Sequence, residues 1–204
     1  MALSNQHNTP FYVSANDSPG KQKIMLTALE LFVKDGLCAT SVRDIAAASG
    51  FTNPALFKHF SSKDALADYL FERCYLELFH LVATAAKRGR TFRQKHRAVI
   101  EVYINALDRD SNSVLFVQEG LRQFWPRISA GARKHSIVGE VRTLLRAGCE
   151  EGVVTDAIDL NLLTTAWIGT LQQFARARYF GEFQQPSRKL ATALEALLIK
   201  LVRA

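Results

Sequence analysis

From Lys21 to the C-terminus, apolar residues recur every three or four positions almost without a break. Nowhere is there the alternation of β-branched residues between turns that a half-buried strand requires. This pattern restricts the chain to helices packed on helices, and the fold class expected is all-α. At 204 residues the chain is long enough to bury a core without covalent staples. Its three cysteines, Cys38, Cys74 and Cys149, are odd in number and widely separated. They therefore argue against both a disulfide framework and paired zinc ligands. They suit a reducing compartment, and the cytoplasm is the expected location. No apolar run reaches the ~18 residues of a membrane span. No Lys or Arg precedes Lys21, which argues against a secretory leader.

Punctuation divides the chain. Residues 1–20, rich in Ser, Asn and Pro and without a period, are expected to be a flexible tail. Helices are expected over about 21–34, 42–49, 53–60, 62–86, 91–107, 114–125, 132–149, 160–179 and 188–202, with a polar turn from Asp108 to Ser113. Ser41 with Asp44, and Ser61 with Asp64, have the spacing of capping boxes. Thr52 is placed to cap the third helix, and Pro54 falls in its first turn, where a missing N–H does no harm.

The segment Thr40–Phe60 reads T-S-V-R-D-I-A-A-A-S-G-F-T-N-P-A-L-F-K-H-F. It combines a short capped helix, a glycine-containing turn and a second short helix. Ile45, Ala46, Leu56 and Phe60 form the packing face between them. That is a helix-turn-helix, a motif whose second helix lies in the DNA major groove.

The stretch Lys21–Leu70 resembles the DNA-binding domain of TetR/AcrR-type transcriptional regulators. The resemblance rests on A-L-E-L-F at Ala28–Phe32, Gly36, T-S-V-R-D-I-A at Thr40–Ala46, G-F-T-N-P-A-L-F-K-H-F at Gly50–Phe60 and S-K-D-A-L at Ser62–Leu66. It implies a helix-turn-helix domain over 21–66 and a ligand-binding and dimerisation domain over 67–204. It implies a homodimer on a pseudo-palindromic operator, most simply a repressor released by a small molecule. The DNA-contacting set expected is Thr40, Ser41, Arg43, Thr52, Asn53, Pro54, Ala55, Phe57, Lys58, His59 and Lys63. Asn pairs with adenine and Lys with guanine, whereas Lys63 at a helix start suits a phosphate. Pro54, Ala55 and Phe57 depart from the family pattern, which has a small residue, Thr or Ser, and Tyr there. Two phosphate-binding hydroxyls are thus missing, and more weight falls on cations and backbone amides.

Beyond Leu70 no motif is diagnostic. Aromatic and polar residues at helical spacing nominate a ligand pocket: Tyr103, Phe116, Gln118, Glu119, Arg122, Phe124, Trp125, Trp167, Leu171 and Phe174. A large, mainly apolar effector is preferred, and no cofactor or metal is expected. The last two helices are expected to pair with their symmetry mates in a four-helix bundle through Leu163, Trp167, Leu190, Leu194, Leu197, Leu198 and Leu201.

The net charge of +7 suggests a polyanionic partner. The excess lies beyond residue 86, however, and Lys87, Arg88, Arg90, Arg93, Lys95 and Arg97 crowd six cations into eleven residues. A solvated face is the default reading of that cluster. An enzyme is disfavoured: there is no phosphate loop, G-x-S-x-G elbow or H-E-x-x-H pair. Glu77-x-x-His80 lacks the second copy that a di-iron site needs. The rival reading is a DNA-organising or partner-responsive helix-turn-helix protein without a small-molecule inducer.

Overall fold

The computed structural model describes residues 10–203, and among these the chain is helical with no strand beyond one isolated bridge. The nine α-helices are α1 Pro19–Lys34, α2 Val42–Ser49, α3 Asn53–Phe57, α4 Lys63–Ala85, α5 Phe92–Arg109, α6 Ser111–Phe124, α7 Ile137–Glu150, α8 Leu160–Tyr179 and α9 Ser187–Val202. They fall into two compact units. The first runs up to Glu77 and includes Asn112–Ala132; the second holds Leu78–Ser111 and Arg133–Ala204. The division falls inside α4, and α6 belongs with the first unit.

Several local expectations need correction. Of the tail expected over 1–20, residues 1–9 lie outside the described residues, and residues 10–20 make specific contacts although several stay exposed. Tyr12 is buried, and its carbonyl accepts from Arg73 Nη2 at 2.9 Å. Ser18 caps α1, with Pro19 in its first turn. Lys21 Nζ donates to Asp17 Oδ1 at 2.9 Å and to the Tyr69 hydroxyl at 2.8 Å. Those bonds outweigh desolvation and hold the Lys21 ammonium above its ordinary range. The turn expected from Asp108 to Ser113 shrinks, because α5 continues to Arg109 and α6 begins at Ser111. The seventh helix is split: a 3-10 turn covers Ala132–Lys134 before α7 starts at Ile137, capped by Ser136. The box assigned to Ser61 and Asp64 is instead a single cap, in which Ser62 Oγ accepts from the Ala65 amide at 3.0 Å.

In the first unit Ile24, Met25, Ala28, Leu29 and Phe32 of α1 meet Ile45, Leu56, Leu66 and Leu70 in one buried core. Phe71 stacks on Phe124 at 4.9 Å between ring centroids and meets Phe116 edge-on at 6.3 Å.

In the second unit α5 and α9 run antiparallel, pinned at both ends. At one end Asp108 accepts from the amides of Ser187 and Arg188, at 2.9 and 3.0 Å, and so caps α9. At the other, Glu151 accepts from the first amide of α5, that of Phe92, while the Thr155 amide donates to Val202. Gly148 sits in this second corner. A Cβ there would stand 2.4 Å from Val154 Cγ2 and 2.8 Å from Phe92 Cδ2. The helices therefore close over a position with no room for a methyl group. Gly148→Ala is expected to destabilise the protein by about 1–3 kcal/mol through overpacking. A urea unfolding midpoint equal to that of the unsubstituted chain would show the corner to be slack.

Candidate nucleic-acid interface

The helix-turn-helix is built by local hydrogen bonds that its sequence specifies. Ser41 Oγ accepts from the Asp44 amide, and Asp44 Oδ2 accepts from the Ser41 amide at 2.8 Å, completing the capping box. These bonds from Ser41, the side-chain one foremost, hold the Asp44 carboxyl below the usual carboxylate range. Gly50 ends α2 at φ +75°, a backbone state that favours glycine. Thr52 Oγ1 then accepts from the Ala55 amide and starts α3. Ile45, Ala46 and Leu56 are buried and supply the packing face of the two helices.

The outward faces separate the expected contacts into groups. Ser41, Arg43, Thr52, Pro54, Lys58 and His59 are exposed, and Phe57 is 48% exposed. Asn53 and Ala55 are half-buried. The helix expected to reach Phe60 ends at Phe57, and Lys58 is its C-cap. Arg43 and Lys58 have no acidic partner among the described residues. The His59 ring lies beside α1, with Nε2 3.5 Å from where a Cβ on Gly20 would stand.

Two residues of the expected set are turned to structural work. Thr40 is buried, and its hydroxyl donates to Gly36 O at 2.9 Å and Leu31 O at 3.3 Å. Lys63 Nζ donates to Leu37 O at 2.7 Å and Thr40 O at 2.8 Å, which ties the α1–α2 connection to α4. A helix-start lysine suits a phosphate on charge alone, but here two nearer carbonyls take the ammonium.

The pocket set divides between the two units. In the first, Phe116 and Phe124 are buried on Phe71, and Trp125 meets Tyr75 edge-on at 5.1 Å. Gln118 is half-buried, while Glu119 and Arg122 are exposed. In the second, the Tyr103 hydroxyl donates to Leu171 O at 3.0 Å, and Phe174 packs on Phe183. Trp167 Nε1 donates to His96 Nε2 at 3.0 Å. The large aromatics thus have packing partners within their own unit. His96 escaped sequence reasoning, although its place in the apolar stripe of Phe92, Val99, Ile100 and Tyr103 was a legible sign of burial.

The dimerisation set also divides. Leu163, Trp167, Leu194 and Leu198 are buried within the second unit and are unavailable to a partner, a correction to the expected interface. The helical period turns that stripe inward, onto α5 and the neighbouring helix. Leu190 is half-buried, while Leu197 and Leu201 are 54% and 40% exposed. Leu162, outside the expected set, is the most exposed residue of α8's apolar set at 62%.

Residues 24–70 match the family described as bacterial regulatory proteins, tetR family. The chain is 26% identical over 171 residues to the HTH-type transcriptional repressor KstR2 of Rhodococcus jostii, covering 76% of this chain and 81% of that one. In fold it is similar to the ketosteroid transcriptional regulator KstR2 of Mycobacterium tuberculosis, with a TM-score of 0.78 and 21% identity over 94% of this chain and 97% of that one. It is also similar to the transcriptional regulator FadR of Bacillus subtilis, solved in complex with stearoyl-CoA, with a TM-score of 0.68 and 17% identity over 89% and 98%.

Proposed function

We propose that the chain, a DNA-binding transcriptional regulator whose residues 24–70 match the tetR family of bacterial regulatory proteins, is a homodimeric repressor released from its operator by a small molecule. The observation that carries the DNA-reading part is the capped α2–Gly50–α3 unit, with Arg43, Lys58 and His59 exposed on its outer surface and Asn53 half-buried beside them. In this reading Asn53 and Lys58 meet base edges, Arg43 and His59 steady the backbone, and the caps Ser41 and Thr52 set their register. Thr40 and Lys63 act indirectly by holding the connection before α2 in place. The cytoplasm, where the DNA is, is the compartment this function requires.

Dimerisation is assigned to the outward faces of α8 and α9, with Leu162, Leu197 and Leu201 at their centre. Doubling that face about a two-fold axis gives an isologous four-helix bundle. The two recognition helices then meet half-sites about one helical turn apart. The effector class preferred is large and mainly apolar. The stearoyl-CoA bound by the B. subtilis regulator carries a long apolar acyl chain, although its coenzyme head is polar and phosphate-bearing. Release requires the effector to bind the DNA-incompetent arrangement more tightly than the competent one.

The test is fluorescence anisotropy with DNA from upstream of the protein's own gene, at ~150 mM salt with excess nonspecific competitor, because salt decides how much binding is bare electrostatics. Saturable binding to one short palindrome is expected, reversed by a long-chain acyl thioester or a similar apolar effector. Leu197→Glu with Leu201→Glu is expected to yield a monomer in analytical ultracentrifugation and to lose operator binding. A dimer that survives both charges would move the interface elsewhere. Cooperative coating of any sequence would instead favour a DNA-organising protein.

A further inference from the structure

Beside the core contact of α5 and α9 runs a groove of about 320 Å³. Arg93 and Arg97 of α5 line one wall, and Lys200 and Arg203 at the end of α9 line the other. Only one acid enters it: Glu195, which accepts from Arg97 Nε at 3.0 Å. Arg93, Lys200 and Arg203 have no acidic partner among the described residues.

The helix dipole accounts for two of these cations, since a C-terminus favours Lys200 and Arg203. It opposes the third. Arg93 sits in the first turn of α5, at the positive end, and its charge adds to the burial that keeps His96 from taking a proton. Folding thus gathers like charges against both the dipole and one another. Local conflicts of this kind collect where a ligand relieves them.

We propose that this groove is a binding site for a phosphate-bearing small molecule, held by Arg93, Lys200 and Arg203, with Arg97 oriented by Glu195 as the fourth cation. The shape favours a small anion over duplex DNA. DNA strings its charges along a convex cylinder, one per ~1.7 Å, and needs an extended open stripe. Here four cations converge on one concavity, and Ala196 and Ile199 offer apolar surface to an organic moiety. The site is independent of the other two stripes of α9: Leu194, Leu198 and Val202 are buried, and Leu197 and Leu201 face outward. Occupancy of the groove and the assigned dimer contact are therefore compatible, and the inference stands whether or not the operator reading does.

The experiment is a calorimetric titration of the full-length protein with inorganic diphosphate at ~150 mM salt. Arg93→Gln with Arg203→Gln is compared with Arg133→Gln and Arg146→Gln, a pair of exposed cations outside the groove. Saturable binding of one diphosphate per chain is expected. The groove pair should weaken it by about tenfold or more, and the control pair by less than about twofold. Melting curves of all variants establish that they fold. No saturable binding by the unsubstituted chain, or equal losses in both pairs, would overturn the site. Unchanged diphosphate binding with weakened nonspecific DNA binding in the groove pair would assign these cations to nucleic acid and equally overturn it.

Discussion

Lys58→Ala is expected to weaken operator binding by ~30-fold or more while leaving the dimer intact. Lys58 stands at the C-cap of α3, exposed and without an acidic partner among the described residues. A lysine bonded to a base edge contributes about 1–3 kcal/mol of discrimination, and a two-fold site forfeits it twice. Removing an exposed side chain changes stability by about 0.5 kcal/mol or less, so the effect reads out on DNA alone. Anisotropy titrations on the operator and on scrambled DNA separate the possible roles. If Lys58 reads a base, the substitution flattens the preference between the two sequences. If it holds a phosphate, binding to both weakens alike and the salt slope falls by about one per site. Unchanged operator affinity would refute the recognition-helix assignment.

Acidification is expected to destabilise the protein through His96. Its side chain is fully buried, and Nε2 accepts the Trp167 indole N–H, so the ring is neutral and carries its proton on Nδ1. That Nδ1 has no partner among the described residues. Burial, with the Arg93 charge beside it, pushes the pKa down to about 4 from an ordinary 6.5. Below pH 6.5 the unfolded chain takes up a proton that the folded chain refuses until about pH 4. The unfolded state therefore gains on the folded one as pH falls through that window. Above 6.5 the contribution is fully present. The expected loss from this group between pH 7 and pH 5 is about 2 kcal/mol. His96→Gln keeps an acceptor for Trp167 and removes the titration, so its urea unfolding free energy should fall less over the same range. Equal slopes for the two proteins would show that His96 is not the group responsible.

The helix-turn-helix was legible because its determinants are local. Ser41 and Asp44, Gly50, and Thr52 with Ala55 are each within three residues of their partners or act through their own backbone, so sequence spacing is nearly the structure. Contacts between residues distant in sequence were not legible. Lys63 had the right charge and helix position for a phosphate, but its acceptors are 26 and 23 residues away. Residues 10–18 looked like tail because they show no apolar period; besides short local turns, what holds them is distant, as where Arg73 reaches Tyr12 across 61 positions.

The sequence by itself determined the helical class, the helix-turn-helix and its caps, because period and short-range hydrogen bonding are encoded within a turn or two of chain. Tertiary structure alone decided which apolar face of a helix is spent inward. Leu194 and Leu197 belong to the same helix and are equally apolar, yet one is 7% exposed and the other 54%. It also decided that Arg93 and Arg203, 110 positions apart, share one groove, because only the antiparallel closure of α5 on α9 brings them together. Burial and convergence of charge are properties of the packed whole, and no local window of sequence contains them.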